Sequence, residues 1–144
     1  MCAKGMILSS GLAIGSMLFG GGCGAGDWRT SDTVEILQEV HSPNGAHVAT
    51  VFFCSGGGAA GYTYTNVNLR ETSQRLNQRD VLLGQYLWHS FGAISVSWID
   101  DETLEVTYRW NSSDPEYRAK NGKTVPRKGK VSVSYIERGS EWNP

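Results

Sequence analysis

Cys54 and Ser55 stand side by side, and the same chain carries His41, His47, His89 and the Asp100-Asp101 pair. A thiol or hydroxyl, an imidazole and a carboxylate are the parts of a nucleophilic relay. The imidazole takes the nucleophile's proton, and the carboxylate orients the imidazole. Such a relay is a matter of geometry, and no spacing in the sequence supplies it. A thiol at the end of an apolar strand is more simply a small buried side chain. No catalytic residue is therefore assigned, and a hydrolase using Cys54 or Ser55 is retained as the lesser alternative.

The metal-binding residue types lead no further. Cys2, Cys23 and Cys54 show no CxxC spacing, and His41 and His47 flank one turn but lack the third ligand that zinc requires. Asp100, Asp101 and Glu102 do not have the spacing of a calcium loop. Neither a metal nor a cofactor is expected.

Residues suited to binding are more prominent. The loop Ser55-Gly56-Gly57-Gly58-Ala59-Ala60-Gly61 is almost free of side chains, which allows successive backbone N–H groups to face a ligand. The nucleotide fingerprints fail, because no Lys-Ser/Thr pair follows. Tyr62 and Tyr64, just beyond it, supply large contact area at low entropy cost. Gly58, Gly61, Tyr62 and Tyr64 are the first candidate binding surface. The second is the run from Arg118 to Lys130, which holds basic residues and no acid and includes Arg127 and Lys128. Lipid phosphate, glycan or an acidic partner suits its charge. The whole chain has a net charge of −1, so no global field favours nucleic acid, and none is expected as a partner.

The elements that position these residues read mainly as β. With 144 residues the chain has the size of one domain. Thr33–His41 and Ala46–Phe53 flank Ser42-Pro43-Asn44-Gly45, a turn in which Pro fixes one φ and Asn-Gly accepts left-handed backbone, and so form a hairpin. Tyr62–Arg70 alternates strictly, with Tyr62, Tyr64, Asn66, Asn68 and Arg70 on one face and Thr63, Thr65, Val67 and Leu69 on the other. Val81–Trp88 reads as a short strand or a helical turn. Gly92–Trp98 and Thr103–Trp110 form a second hairpin, its apolar face set by Ile94, Val96 and Trp98 against Leu104, Val106, Tyr108 and Trp110. Trp98 and Trp110 are expected in the core. Asn111–Gly129 reads as a polar connection, and Lys130–Arg138 as a last strand. The fold class is mainly β: a small antiparallel sheet, sandwich or partial barrel of about six strands, with a blade-like sheet equally compatible.

The first residues have a different character. Lys4 precedes an apolar stretch from Met6 to Phe19, which is shorter than the roughly 18 to 20 residues a membrane-spanning helix needs. Small residues follow. This is the layout of a secretory signal. Its end, Gly21-Gly22-Cys23, resembles a bacterial lipoprotein signal, in which a small residue precedes a cysteine that is acylated and becomes the mature N-terminus. The departure is Gly20, where the pattern has an apolar residue. The expected organisation is a signal segment over 1–22, a flexible tether over 23–32 and a single β domain over 33–144. A lipid anchor on Cys23 would place the domain on the membrane of the bacterial envelope, with secretion into the periplasm or medium as the alternative.

Two further stretches resemble known sequences. Ser42-Pro43-Asn44-Gly45 with Val48 and Ala49 is similar to the hairpin of TolB-type β-propeller blades, and "ISVSWIDDETLEV" from Ile94 to Val106 resembles the stretch that follows it in those repeats. A propeller needs several such units, which this length excludes. With Gly58-Ala59-Ala60-Gly61-Tyr62 added, the pattern resembles small uncharacterised bacterial lipoproteins that share the hairpin and the glycine loop. The resemblance implies a fold and an address, and no activity. The expected function is thus a non-enzymatic secreted or membrane-tethered envelope protein with a binding surface for a protein partner. The alternative is an inhibitor or immunity protein against an envelope hydrolase or toxin.

Overall fold

The computed structural model describes residues 32–84 and 91–144. Strands β1 (Thr33–His41), β2 (His47–Gly56) and β3 (Tyr62–Glu71) form an antiparallel sheet in that order. Strands β4 (Phe91–Asp100), β5 (Thr103–Trp110), β6 (Arg127–Lys128) and β7 (Val131–Glu137) form a second sheet in the order β4-β5-β7-β6. The β1–β2 turn forms as its sequence dictates. Gly45 adopts a φ of 72° and donates its N–H to the Ser42 carbonyl at 2.8 Å, while Asn44 Oδ1 accepts from the Ala46 N–H at 2.9 Å.

The alternating faces explain how the sheets meet. Ala49 and Val51 of β2 and Val67 and Leu69 of β3 are buried against Ile94, Val96, Leu104, Val106, Val131 and Val133 of the second sheet. Leu82, Leu83 and Phe91 complete this core. Each Val, Leu, Ile or Phe side chain among these contributes about 1.5–3 kcal/mol on full burial, so one register slip that reversed a strand's faces would cost several of these at once. Trp98 and Trp110 are half-buried and flank this core instead of filling it.

The two sheets do not close into a barrel, yet they are linked along both sides. On one side, the register of β1 against β2 shifts at Leu37, and the neighbouring Gln38 uses its side chain as a strand would use its backbone. Its Nε2 donates to the Val96 carbonyl at 3.0 Å and its Oε1 accepts from the Val96 N–H at 2.9 Å. Trp98 Nε1 donates to the Val40 carbonyl at 3.0 Å, and the Asn44 N–H to Asp101 Oδ1 at 2.7 Å. On the other side Leu82 mediates, donating its N–H to the Val67 carbonyl at 2.9 Å and accepting from Val125 N–H at 3.1 Å. Tyr135 hydroxyl donates to the Val125 carbonyl at 2.6 Å.

Two expectations are corrected. β5 and β7 pair parallel, from Thr103 opposite Ser132 to Tyr108 opposite Glu137, so the second sheet is mixed. Parallel pairing needs a crossover of a dozen or more residues, and the long stretch from Asn111 to Lys130 provides it. That stretch is also not wholly irregular, since it contains α1 (Pro115–Asn121). Asp114 caps this helix by accepting from the Glu116 N–H at 2.9 Å, Pro115 opens it, and Arg118 and Lys120 face the negative end of its dipole. Among the described residues, no helix is long and apolar enough to cross a membrane.

Candidate binding surface

The Tyr62–Tyr64 surface does not form as expected. Tyr64 is only 1% exposed, packed edge-on against Phe52 with ring centroids 5.9 Å apart, and its hydroxyl donates to the Gln78 carbonyl at 2.9 Å. Tyr62 is half-buried; its hydroxyl donates to Asp32 Oδ1 at 2.6 Å. The glycine loop is shaped around these contacts. A Cβ on Gly57, whose φ is 86°, would lie 2.8 Å from the Tyr62 ring, and one on Gly56 would lie 2.1 Å from Asp32 Oδ1. Gly58 and Gly61 are exposed, but the Gly61 N–H donates to the Gly58 carbonyl at 3.1 Å and closes a short 3-10 turn. The loop is therefore a seat for Tyr62, with that N–H used internally.

Cys54 belongs to the same small cluster, with Phe52, Tyr64 and the flanking Val34, Leu76 and Val81. It is fully buried, and burial pushes its thiol above the ordinary range, against a smaller opposing effect of its hydrogen bond with Tyr64. A nucleophilic thiol needs access and a depressed pKa, and Cys54 has neither. Among the described residues no histidine lies near Ser55, because His41 and His47 are at the opposite end of β2 from it. His89 and Cys23 lie outside the described residues. No group of three metal-ligating side chains occurs among the described residues.

The polar face of β3 is covered by the segment that follows it. Asn66 Nδ2 donates to the Leu83 carbonyl at 2.6 Å and its Oδ1 accepts from the Leu83 N–H at 3.1 Å. Asn68 Nδ2 donates to the Asp80 carbonyl at 2.8 Å, and Arg70 Nε to the Gln74 carbonyl at 3.2 Å. With Tyr64 on Gln78, every other residue of β3 from Tyr64 to Arg70 thus holds a backbone carbonyl of residues 74–83. This side-chain ladder replaces solvent on that face.

The basic run is largely committed as well. Lys128 forms an ion pair with Asp80, and Arg127 donates from Nε to the Gly129 carbonyl at 3.2 Å within the β6–β7 turn. Lys128 lies at the rim of a hollow of about 600 Å³ that His47 and Arg70 also line. Arg70 there is neutralised by Glu39, 3.0 Å away. Glu39 is held below the usual carboxylate range, chiefly by the hydrogen bond from Thr50 and then by Arg70.

A surface that the sequence reading missed lies where β1 and β4 diverge. A hollow of about 460 Å³ lies between Leu37 and Gln38 of β1 and Gly92, Ala93, Ile94 and Ser95 of β4, with Thr65 and the chain's own Asn143 and Pro144 also lining it. Leu37, 54% exposed, lines it; Ile36, equally exposed, precedes it in the chain and pairs opposite Phe52, outside that lining, and Glu35 is exposed before it. The signal was present in "TVEILQEVH". Leu37 is an apolar residue out of phase with Val34, Ile36 and Val40, and the register shift there turns Gln38 and Val40 to the face opposite that of Val34 and Ile36. The chain matches no family model, no curated protein and no solved structure.

Proposed function

We propose that the protein is a non-enzymatic recognition domain of the bacterial envelope, held to the membrane by a lipid anchor on Cys23, that binds an extended polypeptide segment along β1. The observation that carries this reading is exposed Leu37 on the wall of a hollow between two strand edges. β1 has β2 on one side only, and its link to β4 runs through the Gln38 side chain and the Val40 carbonyl. An added strand there gains main-chain hydrogen bonds, and an apolar side chain fills the hollow beside Leu37. Glu35 favours a partner segment that carries a basic residue. The burial of Cys54 supports binding over hydrolysis. The address rests on the lipoprotein-like end of the segment Met1–Cys23.

The test is selection of extended peptides from a random display library on the full chain, followed by amide hydrogen exchange. Selected peptides are expected to be apolar and basic and to slow exchange in β1. Leu37→Ala should weaken them about five- to tenfold, for the loss of roughly 1 kcal/mol of apolar contact, with the unfolding midpoint little changed. Peptides that leave β1 exchange unaltered, or that bind Leu37→Ala as tightly, would overturn the reading.

A further inference from the structure

The end of β5, the segment Asn111–Ser113 and the exit of β7 enclose a separate hollow of about 430 Å³. Arg109, Arg118 and Arg138 line it, with Trp110, Ser112 and Ser140. The acid that lines it, Glu137, is already engaged by Arg118 at 3.0 Å. Arg118 is also fixed by donation from Nε to the Ser112 carbonyl at 2.8 Å, with its guanidinium carbon 5.6 Å from the centre of the Trp110 ring. Glu141 lies nearby in sequence and is exposed, with Ser140 Oγ donating to it at 3.5 Å.

Arg109 and Arg138 are differently placed. Arg109 Nη1 donates to the Ser140 carbonyl at 2.9 Å, while its Nε–H is buried with no acceptor among the described residues. Neither Arg109 nor Arg138 has a carboxylate within ion-pair distance among the described residues. The Arg138 N–H is tied to the Tyr108 carbonyl at 2.8 Å, so the base of that side chain is anchored. Glycine at 92 makes room for the arrangement. A Cβ there would fall 2.2 Å from Asn111 Oδ1 and 3.0 Å from Arg109 Nη2. Among the described residues, the result is a concave site with two guanidinium groups outside any ion pair, an unmet buried donor and serine hydroxyls on its walls.

We propose that this hollow binds a phosphate group, carried by a small phosphomonoester or by a phospholipid headgroup. Guanidinium forks match phosphate oxygens in geometry as well as charge, and a tetrahedral phosphate reaches donors on several walls where a planar carboxylate reaches fewer. No residue lines both this hollow and the one beside β1, so this proposal stands independently of the β1 surface.

The experiment is calorimetric titration of the full chain with inorganic phosphate, with glycerol phosphate, and with neutral vesicles with or without phosphatidylglycerol, alongside the arginine Nε–H resonances. Saturable binding of phosphate or glycerol phosphate that shifts the Arg109 Nε–H identifies a soluble phosphoester site. Binding confined to phosphatidylglycerol vesicles and lost in Arg138→Gln identifies a headgroup site. Either supports the proposal. Arg138→Gln, at an exposed position, should weaken binding about tenfold, and Arg109→Lys should weaken it although charge is kept. No saturable binding of any probe, or equal weakening by the distant Lys128→Gln, would overturn it.

Discussion

The Gln38 side chain pairs with the Val96 backbone through both of its amide atoms, at 3.0 and 2.9 Å, and so joins an edge of one sheet to an edge of the other. Removing it leaves the Val96 N–H and C=O without partners in a partly buried place. Gln38→Ala should lower stability by about 2 kcal/mol, measured as a shifted urea midpoint. Gln38→Glu should cost a similar amount at neutral pH, because the donor is lost and a carboxylate oxygen faces the Val96 carbonyl. A midpoint unchanged by either substitution would show that the link holds nothing.

Asn66 is fully buried and serves three backbone groups: the Leu83 N–H, the Leu83 carbonyl and the Val67 N–H. Asn66→Ala should therefore be the most damaging change in the β3 ladder, at about 3 kcal/mol, with amide exchange accelerated through residues 74–84. Arg70→Ala, at the partly exposed end of the same ladder, should cost less. The reverse order would contradict the assignment of Asn66 as the pin of that segment.

The buried hydroxyls and thiol set the alkaline limit of stability. Burial raises the pKa of Cys54, Tyr64, Tyr108 and Tyr135, so each holds its proton more tightly folded than unfolded. The stability they contribute is whole below their unfolded pKa values and is lost as pH rises. The urea midpoint should fall from about pH 8.5, where an unfolded thiol ionises, and more steeply past about pH 10 for the tyrosines. Cys54→Ala should remove the first part of that decline. In the native state Cys54 should resist a disulfide reagent and react on unfolding; rapid native reaction would revive the nucleophile reading.

At the acid end the sign reverses. Thr50 and Arg70 hold Glu39 below the usual carboxylate range, so its contribution is present above the unfolded pKa and lost as pH falls through the folded one. Glu39→Gln should flatten the acid branch of the midpoint-against-pH curve and leave the alkaline branch unchanged. An unaltered acid branch would count against the Glu39–Thr50–Arg70 contact.

Strand positions and faces were legible because period-two alternation is a local property. Thr33–His41 and Thr103–Trp110 form over the residues the pattern marked, and Val67 and Leu69 face the core as their phase requires. Direction of pairing is not local, so nothing in "KVSVSYIER" revealed that β7 runs parallel to β5. The polar phase of β3 is also visible in the sequence, but what covers it is not. Its cover binds through backbone carbonyls, which leave no trace in the side-chain pattern. Asn66 and Asn68 inside a strand were the available clue, since asparagine is a poor strand former and a good partner for backbone. Asp114-Pro115-Glu116 likewise carried a helix-start signal within a segment read as irregular.

Attachment through Cys23 decides whether β1 and its hollow work at a membrane surface, and the intact mass of protein extracted from membranes tests it most directly. Such protein should begin at Cys23 and carry added acyl mass. A mass that begins at Met1, or a cleaved chain with no added lipid, would contradict it.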